Sequence, residues 1–266
     1  MRKINFAFLL ILTVATYSVF AQNAAYSAGE SMEYEGSYSK FVLRGIDVAV
    51  LNFNVERSET DDSYIIKTEA ESEGGIIKLF NFKFYQKIES FVDGRNFEIL
   101  KTVKRDEQGD RIRNSEAIFD YENEKVTYVE TNPNDLARPP RKVASPIESQ
   151  THDLVSGLYQ LRFLPLAVGK TFEMNVSDSG LVYKVPVVVT AREKKKSVLG
   201  KKWCFRVEPQ VFGEKRMIER DGDMTIWITD DKSRIPVRAN INTSIGKIVV
   251  KLKKISYGKT KTNEAK

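Results

Sequence analysis

Ser63-Tyr64-Ile65-Ile66-Lys67-Thr68-Glu69-Ala70-Glu71-Ser72-Glu73 is the stretch that decides the fold class. Tyr64, Ile66, Thr68, Ala70 and Ser72 fall on one side of an extended chain, and Lys67, Glu69, Glu71 and Glu73 on the other. A two-residue period with one apolar and one charged face is the pattern of a half-buried β-strand. The same period recurs at Phe82, Phe84, Gln86 and Ile88, at Ala117, Phe119 and Tyr121, and at Tyr183, Val185, Val187 and Val189. Further runs are Trp203, Phe205 and Val207, then Ile235, Val237, Ala239 and Ile241, and last Ile248, Val250 and Leu252. Turn pairs separate these runs at hairpin intervals: Asp93-Gly94, Gly109-Asp110, Asn123-Glu124, Ser179-Gly180, Leu199-Gly200 and Ile245-Gly246. The expectation is a mainly β chain, one large antiparallel curved sheet or half-barrel.

Two segments interrupt the alternation. Residues 132–148 carry Pro133, Pro139, Pro140 and Pro146 and read as a long connection that cannot continue a sheet, dividing the chain into halves of about 27–131 and 149–258 within one β-rich domain. After it, Leu154, Leu158 and Leu161 recur at helical spacing, with Val155 and Tyr159 widening the stripe, so one helix is expected from about Thr151 to Phe163, capped by Thr151 and lying across the sheet. A weaker helical turn is expected around Gly75 to Leu79.

The chain has 266 residues, 41% hydrophobic and 29% charged. That is the balance of a folded water-soluble protein. Arg2 and Lys3 precede an apolar run from Ile4 to Val14, and Val19 and Ala21 offer small residues before Gln22. This is a signal-peptide pattern with cleavage near Ala21, and it places the product, soluble and without a transmembrane anchor, in the periplasm or outside the cell. Cleavage removes two cations, lowering the formal charge from +6 to +4, too little for a nucleic-acid footprint. Charge is uneven all the same: acids crowd residues 56–73, while residues 247–261 hold six lysines and no acid. Those lysines read as a solvated face that blunts a sheet edge, with peripheral contact to anionic lipid as the functional alternative. Residues 259–266 read as a flexible basic tail.

Several pieces together resemble a known family. They are Gly29-Glu30 with Tyr34, the run Gly45 to Ala49, the helix start His152-Asp153-Leu154 leading to Tyr159, Leu161 and Arg162, Gly169-Lys170, and Val207-Glu208-Pro209. The most specific is Thr225-Ile226-Trp227-Ile228-Thr229-Asp230-Asp231 through Arg234-Ile235-Pro236-Val237-Arg238. In this combination the chain is similar to the exported bacterial proteins called domain of unknown function 3108, over roughly Ser27 to Ile255. The resemblance implies export and a β-rich fold akin to the half-barrels of periplasmic lipoprotein carriers, and it implies no catalytic residue. At Asp47 to Ala49 the chain departs from the Pro-Ala-Gly-like turn expected there.

Residue chemistry points away from catalysis. His152 is the one histidine and Cys204 the one cysteine, so neither a metal-ligand set nor an intramolecular disulfide is in view, and no cofactor is implied. His152, Asp153 and Ser156 are triad residue types, but neighbours on one helix point about 100 degrees apart, and Asp153 suits a helix N-terminus better. Arg206, on the same strand face as Cys204, is a cation that could lower the thiol pKa. Asp230 and Asp231 read as turn chemistry with Arg234 and Arg238 as partners, and Pro236 as a strand start. Asp153, Arg162, Trp227, Asp230, Asp231, Arg234, Pro236 and Arg238 are therefore read as structural. A helix across a curved sheet can enclose an apolar space, so the leading expectation is a non-catalytic envelope or periplasmic binding protein for a lipophilic or amphiphilic ligand, with Phe82, Phe84, Leu158, Tyr159 and Trp227 as candidate lining residues. The alternatives are a structural or protein-interaction module in envelope assembly and a hydrolase using Asp230, Asp231 or His152.

Overall fold

The computed structural model describes residues 27–59, 61–74 and 83–258. The signal-like segment, the turn expected at Gly75 to Leu79, Phe82 and the basic tail lie outside the described residues. From β1 (Ser31–Lys40) the chain runs through β2 (Leu43–Arg57), β3 (Ser63–Ser72), β4 (Phe84–Asp93), β5 (Ile99–Gln108), β6 (Arg111–Asp120), β7 (Lys125–Thr131) and β8 (Arg141–Pro146). A two-residue strand β9 (Thr151–His152) leads into helix α1 (Leu154–Gln160). There follow β10 (Thr171–Asp178), β11 (Leu181–Ser197), β12 (Gly200–Pro209), β13 (Gly222–Thr229), β14 (Pro236–Thr243) and β15 (Gly246–Ser256). The fifteen strands of the described residues form one sheet, in the order β8 to β1 and then β15 back to β9. It is two antiparallel meanders joined where the first strand pairs with the last; only β9, which reaches β10 through the helix, pairs in parallel.

All six turn pairs fall at the junctions of consecutive strands, with Asp93, Gly200 and Gly246 as terminal residues of β4, β12 and β15. Two of the other readings are corrected. The proline-rich stretch contains a strand, because Pro139 and Pro140 stop just short of β8, Pro146 is its last residue, and β8 is an edge that needs ladder bonds on one side only. The lysines of β15 do not blunt an edge, since β15 is paired on both sides, by β1 and β14. At Asp47 to Ala49, β2 continues with Val48 as an extra residue opposite the Gly36/Ser37 step, so the local bend is a β-bulge.

The sheet curls until its far parts meet. The turn between β10 and β11 rests on β7 and β8: a Cβ on Gly180, whose φ is +82°, would lie 2.6 Å from that of Tyr128 and 2.8 Å from that of Val143. Two apolar cores result, and β13 separates them. Ile226 and Ile228 face one core with Val187, Val189, Phe205 and Val207, whereas Trp227 between them faces the other with Phe53, Ile66 and Val126. Each fully buried Val or Ile contributes about 1.5–3 kcal/mol, so a strand buried on both faces is a strong organiser. Helix α1 lies between the cores, with Val155 and Tyr159 in the core of Trp227 and its C-cap Leu161 in the core of Ile226 and Ile228.

Candidate functional site

The position of α1 is fixed at both ends by buried polar side chains. Asp153, extended at φ −83° and ψ −179°, is the N-cap in place of Thr151, whose hydroxyl instead donates to the Glu148 carbonyl at 2.7 Å and whose backbone belongs to β9. The Asp153 carboxylate accepts from the Ser156 amide at 2.7 Å, from Ser90 Oγ of β4 at 2.5 Å and from Thr102 Oγ1 of β5 at 2.7 Å. The Ser156 hydroxyl completes a capping box by accepting the Asp153 amide at 3.0 Å. The start of the helix is thus tied to the first meander.

At the other end, Arg162 closes the chain on itself. Its guanidinium meets the Glu30 carboxylate in a two-pronged contact of 2.6 and 2.9 Å, both side chains 1% exposed, and donates a third bond of 3.1 Å to the Ser233 carbonyl in the turn after β13. The Tyr159 ring lies 5.2 Å from that guanidinium. Beside it, Tyr34 donates to the Pro236 carbonyl at 2.9 Å, and burial holds its phenol well above the usual range. Glu30, Tyr34, Arg162, Ser233 and Pro236, scattered over two hundred residues, meet at one point.

A cavity of about 430 Å³ opens between the helix so placed and strands β10 to β13. Leu154, Leu158 and Leu161 line it from the helix side, and Val185, Val187 and Ile226 from the sheet. Three of the chain's five methionines, Met174, Met217 and Met224, complete much of the wall, and Met217 and Ile218 come from the β12–β13 connection. Among the described residues that line it, only Asp178 carries charge. The volume lies within the roughly 300–1,000 Å³ of small-molecule sites, and thioether side chains let a wall adapt to irregular apolar shapes.

Of the residues named from sequence, Leu158 lines this cavity. Tyr159 points the other way, its ring 6.5 Å from that of Phe53. Trp227 is 6% exposed on the far face of β13, its indole N–H donating to Glu193 at 2.5 Å and its ring centroid 4.2 Å from the Lys195 ammonium and 5.7 Å from the Arg238 guanidinium. Phe84 is half-buried at the start of β4. Met174, Met217 and Met224 follow no sequence period, so no pattern within the chain marks them as parts of one wall.

The remaining polar residues serve the turns and ladders. Asp230 accepts from Arg192 Nε at 2.6 Å, with Arg234 at 3.7 Å, and Asp231 accepts from Thr229 Oγ1 at 2.8 Å and the Ser233 amide at 3.2 Å. Arg238 donates to Asn240 at 3.0 Å. His152 is 1% exposed, with no hydrogen-bond partner for either ring nitrogen among the described residues, and burial lowers its pKa to about 4. Cys204 does not gain an acidic thiol: burial pushes it up to about 11. No group of three or more His, Cys, Asp or Glu side chains among the described residues is placed to hold a metal ion, and none of the described helices is long and apolar enough to cross a membrane.

The fold has solved relatives. A β-barrel-like protein of domain of unknown function DUF1849 from Brucella abortus matches 87% of this chain and 98% of its own, with a TM-score of 0.59 at 11% identity, a likeness of fold alone. A protein with a YmcC-like fold from Bacteroides fragilis covers 86% of this chain and 96% of its own at 9% identity and a TM-score of 0.36. No curated protein matches. The family model described as protein of unknown function (DUF3108) matches residues 33–253, from β1 to β15 and across the whole Glu30–Arg162–Ser233 junction save its first residue, and the chain belongs to that family.

Proposed function

We propose that the protein is a non-catalytic binding protein of the cell envelope or periplasm, and that it carries a lipophilic or amphiphilic molecule in the cavity beside α1. The observation that carries this reading is the wall itself: aliphatic and methionine side chains surround about 430 Å³, and among the described residues Asp178 alone adds a carboxylate. Water in such a space finds few polar partners, so an apolar occupant gains by displacing it. The capping role of Asp153 and Ser156, the burial of His152 and the turn bonds of Asp230 and Asp231 support a non-catalytic assignment.

Native mass spectrometry of the protein purified from its own compartment, with solvent extraction of bound material, tests the reading. A discrete lipid-like mass is expected, and it should disappear in Gly157→Leu. A Cβ on Gly157 meets only ordinary contacts of 3.7–3.8 Å with His152, Met174 and Val176, so the larger side chain occupies the cavity from the helix side. Empty protein from repeated preparations that retain weak ligands in control carriers would overturn the reading.

A further inference from the structure

The β11–β12 hairpin breaks two rules of hairpin chemistry. Its turn residues are Val198 and Leu199, between the Ser197–Gly200 pair, where Asn, Asp or Gly is the usual choice. Leu199 folds back onto the core, but Val198 stands out at 53% exposure. Behind the tip, the register sets Lys196 opposite Lys201 and Lys195 opposite Lys202, and like charges directly across a ladder are destabilising.

The two faces of the hairpin treat these lysines differently. On one, Lys195 pairs with Glu193 at 3.0 Å and Lys202 lies 3.9 Å from Asp231. On the other, exposed face, Lys194, Lys196 and Lys201 form no ion pair among the described residues. There Trp203, 43% exposed, lies 4.4 Å from the Arg192 guanidinium and 5.0 Å from the Lys194 ammonium. Going back from the apolar tip, the Lys196/Lys201 pair comes first and the half-exposed Trp203 next, level with Lys194, so the hairpin end combines the residue types of a bilayer interface: an apolar residue for the hydrocarbon edge, lysines for lipid phosphate and an aromatic ring for the headgroup region. A nucleic acid would use the aromatic ring for stacking, whereas this ring is already engaged by two cations and the leading residue is a valine. The β14–β15 turn also exposes an apolar residue, Ile245 at 62%, but no tryptophan stands behind it, and Lys253 of β15 is paired with Glu35 at 2.8 Å.

We propose that the β11–β12 hairpin docks the protein on an anionic lipid surface, with Val198 entering the interface, Trp203 at headgroup level, and Lys194, Lys196 and Lys201 on lipid phosphates. The claim is independent of whether the cavity holds a ligand.

The test is flotation of the protein, as purified from its native compartment, with vesicles of phosphatidylcholine alone and of phosphatidylcholine mixed with phosphatidylglycerol. Binding is expected to the mixed vesicles only and to weaken with salt. Each surface lysine adds about fivefold to partitioning, so Lys196→Ser/Lys201→Ser should lose about 25-fold while melting no lower than the parent, since a repulsion has been removed. Lys251→Ser/Lys254→Ser on β15 should lose much less. Trp203 is one of only two tryptophans and the exposed one, so a blue shift on binding that Trp203→Phe abolishes places the hairpin in the interface. Equal binding to both vesicle types, equal losses in the hairpin and β15 variants, or binding to duplex DNA in preference to anionic vesicles would overturn the proposal.

Discussion

Replacing Glu30 by Gln tests how the two meanders are held together. The substitution keeps the shape of the side chain and removes its charge, so the Arg162 guanidinium, 1% exposed, keeps the Ser233 carbonyl at 3.1 Å and the Tyr159 ring at 5.2 Å but loses its carboxylate counter-charge. Breaking a buried pair from one side costs about 3–5 kcal/mol, because the surviving charge stays out of water. For a chain of this size each kcal/mol is worth about 2–4 °C, so the melting temperature should fall by about 6–20 °C. Arg162→Met should cost as much from the other side. The double variant Glu30→Met/Arg162→Met should cost less than the sum of the two single methionine variants by about 2–3 kcal/mol, since no charge is left buried. Urea unfolding of the full set, read by far-UV dichroism, gives the cycle. Additive losses, or a Glu30→Gln midpoint within about 1 kcal/mol of the parent, would refute the view that this pair clasps the sheet.

Two further outcomes follow from buried groups. His152 has its folded pKa lowered to about 4 by burial, so below about pH 6.5 the unfolded chain takes up a proton that the folded chain refuses. Stability should therefore fall by about 1.4 kcal/mol per pH unit between about pH 6.5 and pH 4 relative to His152→Leu, and parallel stability profiles for the two proteins would rule this out. Trp227→Ala empties a core position and removes the indole bond to Glu193, and should cost about 3–5 kcal/mol by chemical denaturation; a near-parental cooperative melt would contradict the core assignment.

How far these features were legible depends on the range of the interaction that makes them. Turn chemistry is local, and Ser179-Gly180, Leu199-Gly200 and Ile245-Gly246 all lie at hairpin ends. Strand alternation is local too, as Ile66 and Thr68 on the buried face of β3 illustrate. Neighbour relations are not. Nothing within β15 announces that it pairs with β1, so its lysines looked like edge protection. Proline in β8 misled for a related reason, because the rule against it applies to strands paired on both sides, and edge position is a property of the whole sheet. The Leu154, Leu158 and Leu161 stripe was readable and lines the cavity, whereas Met174, Met217 and Met224 come together from a strand, a connection and another strand. Glu30 and Arg162 are 132 residues apart, and only the fold makes them partners.

The same long-range contacts explain why a cavity survives beside so well-packed a sheet. A seven-residue helix has too few turns to set its own position. Here Asp153 binds it to Ser90 and Thr102 in the first meander, and Arg162 binds its end to Glu30 and the 230–234 turn at the centre of the sheet. With both ends held by polar contacts, the helix cannot sink onto β10 to β13 to close the space along Leu158 and Leu161, as apolar attraction alone would have it do. Asp153, Glu30 and Arg162 thus act at a distance from the apolar wall: they hold the helix off the second meander. It follows that weakening the Glu30–Arg162 clasp should reduce occupancy of the cavity even in molecules that remain folded. A folded Glu30→Gln protein that retains its bound mass in full would separate the clasp from the site.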